Sequence, residues 1–306
     1  GVSTENKPLP VEFSYETNVL WSAELGRGLA SPVIASGRVF ETTMLDKQTF
    51  AVMAFDAKSG KKLWQKEFPA GKVPEITPPN EHASSTPATD GDRVYVYFST
   101  LGVMAFNAAD GKLLWKHPIA MPHYLMGWGP ANSPIVFEDL VIFNIDDDLD
   151  PFLIALDRCS GDVRWTTPRP EMLGGFSTPV ICTAGGRTDL VLAGSGKMKG
   201  YDPQTGKELW TCNSLLRTIM TTPVVVDDTI YMSLQSYGDT ERVLKFALLQ
   251  WRDTNQDGKL TKSELEKVFW KKFDKGDKNK DGELVGDEID AAFQAPSNMA
   301  GGGNII

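Results

Sequence analysis

The sequence predicts a mainly β chain, a partial set of four-stranded β-propeller blades that carries a small α-helical insertion. Three observations predict it. An 11-residue unit ending in tryptophan recurs four times, and a Ser/Thr-Pro pair recurs in step with it. Both stop after Leu234, where helical spacing and two acidic 12-residue loops take over.

The unit reads AFDAKSGKKLW at 54–64, AFNAADGKLLW at 105–115, ALDRCSGDVRW at 155–165 and GYDPQTGKELW at 200–210. With Trp21, the tryptophans stand at 21, 64, 115, 165 and 210. Such steps fit a four-stranded blade and no common helical repeat. Ser31-Pro32, Thr86-Pro87, Ser133-Pro134, Thr178-Pro179 and Thr222-Pro223 each open a β-branched run that breaks at a polar or Gly turn and resumes, the mark of a hairpin. The Asp or Asn of the unit suits a side-chain-capped turn, and its Gly suits positive φ. The tryptophans are expected to pack between blades.

Composition bounds the function. At 306 residues, 41% hydrophobic and 23% charged, the chain has an ordinary globular balance. No apolar run approaches the roughly 18 residues of a spanning helix, so no membrane span is expected. A net charge of −9 with dispersed basic residues argues against nucleic acid, whose phosphates demand a cationic face. The start of the chain lacks a basic-then-apolar leader, so any targeting peptide is expected to have been removed or never included. Cys159, Cys182 and Cys212 leave two readings open, one disulfide with a free thiol or three buried thiols, and with no CxxC they give zinc no support.

The Ala/Gly-x-Asp-x-x-x-Gly-x-x-x-Trp unit resembles the tryptophan-docking repeat of the pyrroloquinoline-quinone (PQQ)-like β-propellers, over residues 19–236. That family includes quinoprotein dehydrogenases and cofactor-free scaffolds of protein assembly, with seven or eight blades. This chain is expected to supply fewer: a terminal strand at 19–24, four blades, and the opening hairpin of a fifth at 223–234. The missing blades are then expected from another polypeptide or a longer chain. A ring of five closed by 19–24 is the alternative. The domains expected are blades over 1–240, a loop pair over 241–295 and the start of a return strand over 296–306.

Residues 241–251 place Leu244, Leu248 and Trp251 at helical spacing, and two EF-hand loops follow. A calcium ion takes about seven oxygens from such a loop, at positions 1, 3, 5, 7, 9 and 12, with Gly at 6 for the turn. The first loop offers Asp253, Asn255, Asp257, Lys259 through its carbonyl, Thr261 and Glu264, with Gly258 at the turn. The second offers Asp277, Asn279, Asp281, Glu283 through its carbonyl and Glu288, with Gly282. Position 9 separates them, because Val285 has no side-chain oxygen, so the second Ca2+ site is expected to be the weaker. The starts lie 24 residues apart, and an unbroken helix over the 12 residues 265–276, about 18 Å long, would hold the loops apart. Side-by-side pairing therefore requires a break near 267–269.

Arg27, His82, Trp128, Asn132 and Arg217, just before the Ser/Thr-Pro pairs, are candidates for a protein or small-ligand site at the propeller mouth. The acidic run at 146–150 reads as a solvated hairpin, with a third metal site as the alternative. A quinone enzyme of this family stacks PQQ on adjacent cysteines, and this sequence has no adjacent pair. The reading is a non-enzymatic, calcium-binding scaffold with no PQQ, periplasmic or secreted, against the alternative of a quinoprotein dehydrogenase or other channel-site enzyme.

Overall fold

The computed structural model describes residues 8, 10–213, 221–233, 248–249 and 252–293. Four antiparallel four-stranded sheets follow one another. The first holds β1 (Val33–Ala35), β2 (Arg38–Asp46), β3 (Thr49–Asp56) and β4 (Lys62–Pro69). The second holds β5 (Ala88–Thr89), β6 (Arg93–Phe98), β7 (Gly102–Asn107) and β8 (Leu113–His117). The third holds β9 (Ile135–Phe137), β10 (Leu140–Ile145), β11 (Phe152–Asp157) and β12 (Val163–Pro168). The fourth holds β13 (Val180–Ala184), β14 (Arg187–Gly194), β15 (Lys197–Tyr201) and β16 (Glu208–Cys212). The hairpin β17 (Val224–Val226) and β18 (Thr229–Tyr231) comes next.

Each Ser/Thr-Pro pair directly precedes the first strand of its sheet. Its hydroxyl has a task the sequence did not disclose. Ser31 N–H donates to Thr86 Oγ1 at 3.1 Å, Thr86 N–H to Ser133 Oγ at 3.0 Å, and Thr178 N–H to Thr222 Oγ1 at 3.2 Å. Sheets too far apart for a ladder are thereby stitched along their inner edge.

The tryptophans explain the rest of the repeat. Trp64 Nε1 donates to Ala108 O at 3.1 Å, Trp115 to Arg158 O at 3.0 Å, and Trp165 to Pro203 O at 3.2 Å. Each acceptor follows the Asp or Asn of the next sheet's turn. The ring lies over that turn's glycine, Gly111, Gly161 or Gly206, all at φ +70 to +78°, where a Cβ would come within 2.4–2.7 Å of the indole. The acid or amide fixes the turn: Asp56 accepts from Lys58 and Ser59, and Asn107 from Ala109 and Asp110. Across the strands, Trp64, Trp115 and Trp165 face Ala54, Ala105 and Ala155, beside a register shift, so the small first residue leaves room for the indole.

Apolar cores fill the spaces between sheets. Phe40, Phe50, Val52, Val96 and Phe98 pack between the first and second, and Tyr97, Phe143 and Ile154 between the second and third. The third and fourth meet at Ile142, Leu190 and Leu192, and the fourth meets the hairpin at Val191 and Met232.

Two expectations change. Residues 19–24 form no strand, although Trp21 docks as its counterparts do, with Nε1 to Ala57 O at 3.0 Å and its ring over Gly60. A strand needs a ladder partner, and Leu20 beside it is 91% exposed, so the indole alone anchors the segment. Trp210 departs the other way. Among the described residues no repeat turn follows it, and its ring folds back on Gly200 while Nε1 bonds Asp189 Oδ2 at 2.7 Å. No disulfide joins Cys159, Cys182 and Cys212, but Cys159 is exposed rather than buried, because it sits in a repeat turn.

The first sheet also buries Glu41, whose carboxylate accepts the N–H of Thr42 at 3.0 Å. Burial pushes its pKa to about 7 against that hydrogen bond. The unfolded chain ionises this group at lower pH than the folded one, so stability falls as pH rises from 4.5 to 7. Glu41→Gln is expected to leave stability unchanged at pH 4 and to raise it by up to about 3 kcal/mol at pH 8, read from urea midpoints. Gly111→Ala is expected to cost about 2–4 kcal/mol from strain and the indole clash. At Gly37, with φ +72° and nothing within 4 Å of a Cβ, the same change should cost only about 1 kcal/mol.

Candidate metal centre

The segment after the hairpin is helical at 248, 249 and 252, and the remainder of 234–251 lies outside the described residues. From Asp253 the chain forms two loops of the same shape. Gln256 and Lys280, at position 4, have φ of 59° and 61°, and Gly258 and Gly282, at position 6, have 80° and 84°. These left-handed residues reverse the chain and turn its N–H groups inward.

The side chains of positions 1, 3 and 5 are held by those N–H groups. Asp253 Oδ2 accepts from Gly258 N at 2.8 Å, and Asp277 Oδ2 from Gly282 N at 3.1 Å. Asn255 accepts from Asp257 N at 3.0 Å and Asn279 from Asp281 N at 2.9 Å. Asp257 and Asp281 accept from the N–H groups of Lys259 and Glu283, both at 2.9 Å. Asp277 Oδ1 is buried with no partner, an oxygen whose desolvation a cation would offset.

The position-12 carboxylates differ. Glu264 accepts from Thr254 N at 3.0 Å and from both the N–H and the hydroxyl of Thr261 at 2.9 Å. Burial raises its pKa, but those hydrogen bonds outweigh it and hold the group below its ordinary value. Glu288 reaches Lys278 N at 3.2 Å and Val285 N at 3.4 Å, with no hydroxyl to help. Among the described residues no three His, Cys, Asp or Glu side chains converge as a finished metal cluster. The acidic oxygens point at their own backbone donors instead.

The two loops lie side by side. β19 (Leu260–Thr261) pairs antiparallel with β20 (Glu283–Leu284), Leu260 opposite Leu284. The linking chain is not one helix: 3₁₀ turns at Lys262–Glu264 and Lys267–Phe269 precede α1 (Trp270–Gly276), and α2 (Asp287–Phe293) closes the second loop. Leu265 is extended between the turns, which makes the fold-back. α1 crosses α2 closely at Gly276, where a Cβ would lie 2.5 Å from Ala292.

This module is seated on the connector between β8 and β9. Leu125 and Met126 enter its core of Leu260, Phe269, Phe273 and Ile289. Arg252 Nε donates to Leu125 O at 2.6 Å. From the other side, Leu125 N–H donates to Asp148 Oδ2 at 2.8 Å and His123 N–H to Asp147 Oδ2 at 3.0 Å. The acidic run is therefore no solvated hairpin. Asp146, Asp147 and Asp148 are all buried, Asp146 in a two-pronged pair with Arg169 at 2.8 and 2.9 Å. Its neighbours supply backbone N–H donors in place of water, which the sequence pattern alone conceals.

The described mouth candidates differ in their settings. Arg27 is exposed and pairs with Glu81. His82 is half-buried, and burial lowers its pKa. Asn132 is buried, donating to Gly175 O and Ser177 O at 3.3 Å and accepting from Tyr124 Oη at 3.2 Å. Trp128 packs at 5.9 Å from Phe176. Arg217 lies outside the described residues.

A family model described as outer membrane protein assembly factor BamB matches residues 14–129 and 127–269. The chain belongs to that family. BamB of Yersinia pestis is 26% identical over 269 residues, covering 80% of this chain and 63% of the relative. A 1-butanol dehydrogenase (quinone) of Thauera butanivorans is 26% identical over 177 residues, covering 52% of this chain and 27% of the enzyme. The crystal structure of BamB from Moraxella catarrhalis aligns with a TM-score of 0.49 at 21% identity, covering 68% of this chain and 55% of that one. The chain thus spans less than two thirds of the length of these BamB-family relatives.

Removing Arg169 would strand a buried carboxylate. Arg169→Met is expected to cost about 3–5 kcal/mol, whereas Arg158→Met, which breaks the more exposed pair with Asp90, should cost under about 1 kcal/mol. Urea denaturation of the two variants checks the difference.

Proposed function

We propose that this chain is part of a non-enzymatic β-propeller scaffold for protein assembly that binds two calcium ions. The observation that carries the calcium reading is the matched set of oxygens in two paired loops, each held in place by its own backbone N–H groups. Asp253, Asn255, Asp257, Thr261 and Glu264, with the carbonyl of Lys259, would hold one ion. Asp277, Asn279, Asp281 and Glu288, with the carbonyl of Glu283, would hold the second, more weakly. Bound calcium would supply the positive charge around which these carboxylates close.

The apolar face such a loop pair would offer a target is filled here by Leu125 and Met126. That supports a clamp that orders the connector rather than a sensor that exposes a groove. The scaffold reading is supported by membership of a family described as an assembly factor. It is supported too by the use of the repeat's Trp, Asp and Gly residues in holding sheets together. We place the protein outside the cytoplasm, where calcium is abundant. A protein or small ligand would bind at the propeller mouth, and the remaining blades would come from more of this polypeptide or from another. The quinone-dehydrogenase reading draws on the Thauera relative. Added PQQ should leave the ultraviolet–visible spectrum of the full-length protein unchanged, and a quinone adduct would favour the enzyme.

Calorimetry at millimolar calcium is expected to give two ions per chain, with Glu264→Gln and Glu288→Gln each weakening one site. Each site saturated at about 100 times its Kd should add roughly 2.7 kcal/mol of stability, seen as a lower melting temperature after chelation. One ion or none for the unmutated chain would overturn the reading.

A further inference from the structure

We propose that Lys259 is a built-in counter-ion that holds the two loops together before calcium arrives and weakens calcium binding by competing with it. The inference rests on the calcium reading and concerns how strongly those same loops load. At position 7 only the backbone carbonyl faces the ion, so the side chain is free for another task. Lys259 Nζ crosses to the same position of the other loop and meets Glu283 Oε2 at 2.5 Å. The β19–β20 pairing brings the chains close enough for this, with Thr261 opposite Glu283.

The ammonium group serves more than one carboxylate. Glu283 first, then Asp257 and Asp281, favour the charged form of Lys259 and raise its pKa. Asp257 and Asp281 are position 5 of their loops, so ligands of both sites attract the ammonium group. No neighbouring lysine of the first loop duplicates it. Lys262 is paired with Asp274 at 2.5 Å and lies 5.6 Å from the Trp270 ring centroid.

One positive charge among these acids has opposite effects on the two states. In the calcium-free loops it relieves the repulsion between carboxylates on facing chains. In the loaded loops it would repel the divalent ions, a repulsion that salt weakens. Removing the charge should therefore destabilise the free module and tighten calcium binding. A side chain that merely packs would weaken both when removed.

The experiment uses the full chain, unmutated and as Lys259→Met and Lys259→Arg, at low ionic strength. Lys259→Met is expected to bind calcium about 3- to 10-fold more tightly while its melting temperature in chelator falls. Lys259→Arg, which keeps the charge, should return both quantities to those of the unmutated chain. Added sodium chloride should shrink the affinity gap between Lys259→Met and the unmutated chain. Unchanged or weaker binding by Lys259→Met, with two ions still taken up by the unmutated chain, overturns the counter-ion role alone. An unmutated chain that takes up no calcium overturns the calcium reading, and this inference with it.

Discussion

The rest of the structure depends on one contact, the tryptophan of each sheet resting on the glycine of the next sheet's turn. That contact sets four residue choices at once. The glycine must accept positive φ and lack a Cβ, because the indole occupies the space a Cβ would take. The Asp or Asn must cap the turn so that the next carbonyl points at the indole N–H. The residue across from the tryptophan must be small. Among the described residues no backbone ladder joins neighbouring sheets, so this hydrogen bond, the Ser/Thr hydroxyl bonds and the apolar layer carry the alignment.

The two exceptions show how far the contact reaches by itself. Trp21 docks without any strand around it, so the indole needs only the turn and no ladder of its own. Trp210, with no such turn ahead among the described residues, folds onto its own sheet and bonds Asp189, which Arg187 grips in turn. The fourth copy opens with Gly200 where the others have Ala, and that substitution is what admits the ring. A side chain's station here is decided by what the next sheet presents.

Whatever repeats was legible in the sequence. The Trp, Gly, Asp and Ser/Thr-Pro landmarks located four sheets and a hairpin, since periodic spacing reports periodic packing. The 3₁₀ turn at Lys267–Phe269 falls where the short loop spacing demanded a break. What does not repeat was hidden. Nothing in Asp146, Asp147 and Asp148 announces burial, because their partners, Arg169 and the N–H groups of His123 and Leu125, are distant in sequence or belong to backbone. Leu125 and Met126 read as ordinary connector residues, and only the tertiary fold reveals them inside the module's core. The segment 19–24 carries a strand-like pattern, but a pattern cannot supply the neighbour that a strand must pair with.

The direction of the tryptophan contact bears on how such a chain lengthens. Each of the first three sheets presents a turn to what precedes it and a tryptophan to the sheet after it. A tandem copy of one unit, inserted anywhere in the row, brings a matching lock for its predecessor and a matching key for its successor. Gene duplication can therefore change the blade number without inventing a new interface, and the four copies at 54–64, 105–115, 155–165 and 200–210 still carry that shared grammar. The module follows the hairpin β17–β18 and seats on the connector between β8 and β9, so it crosses no tryptophan contact.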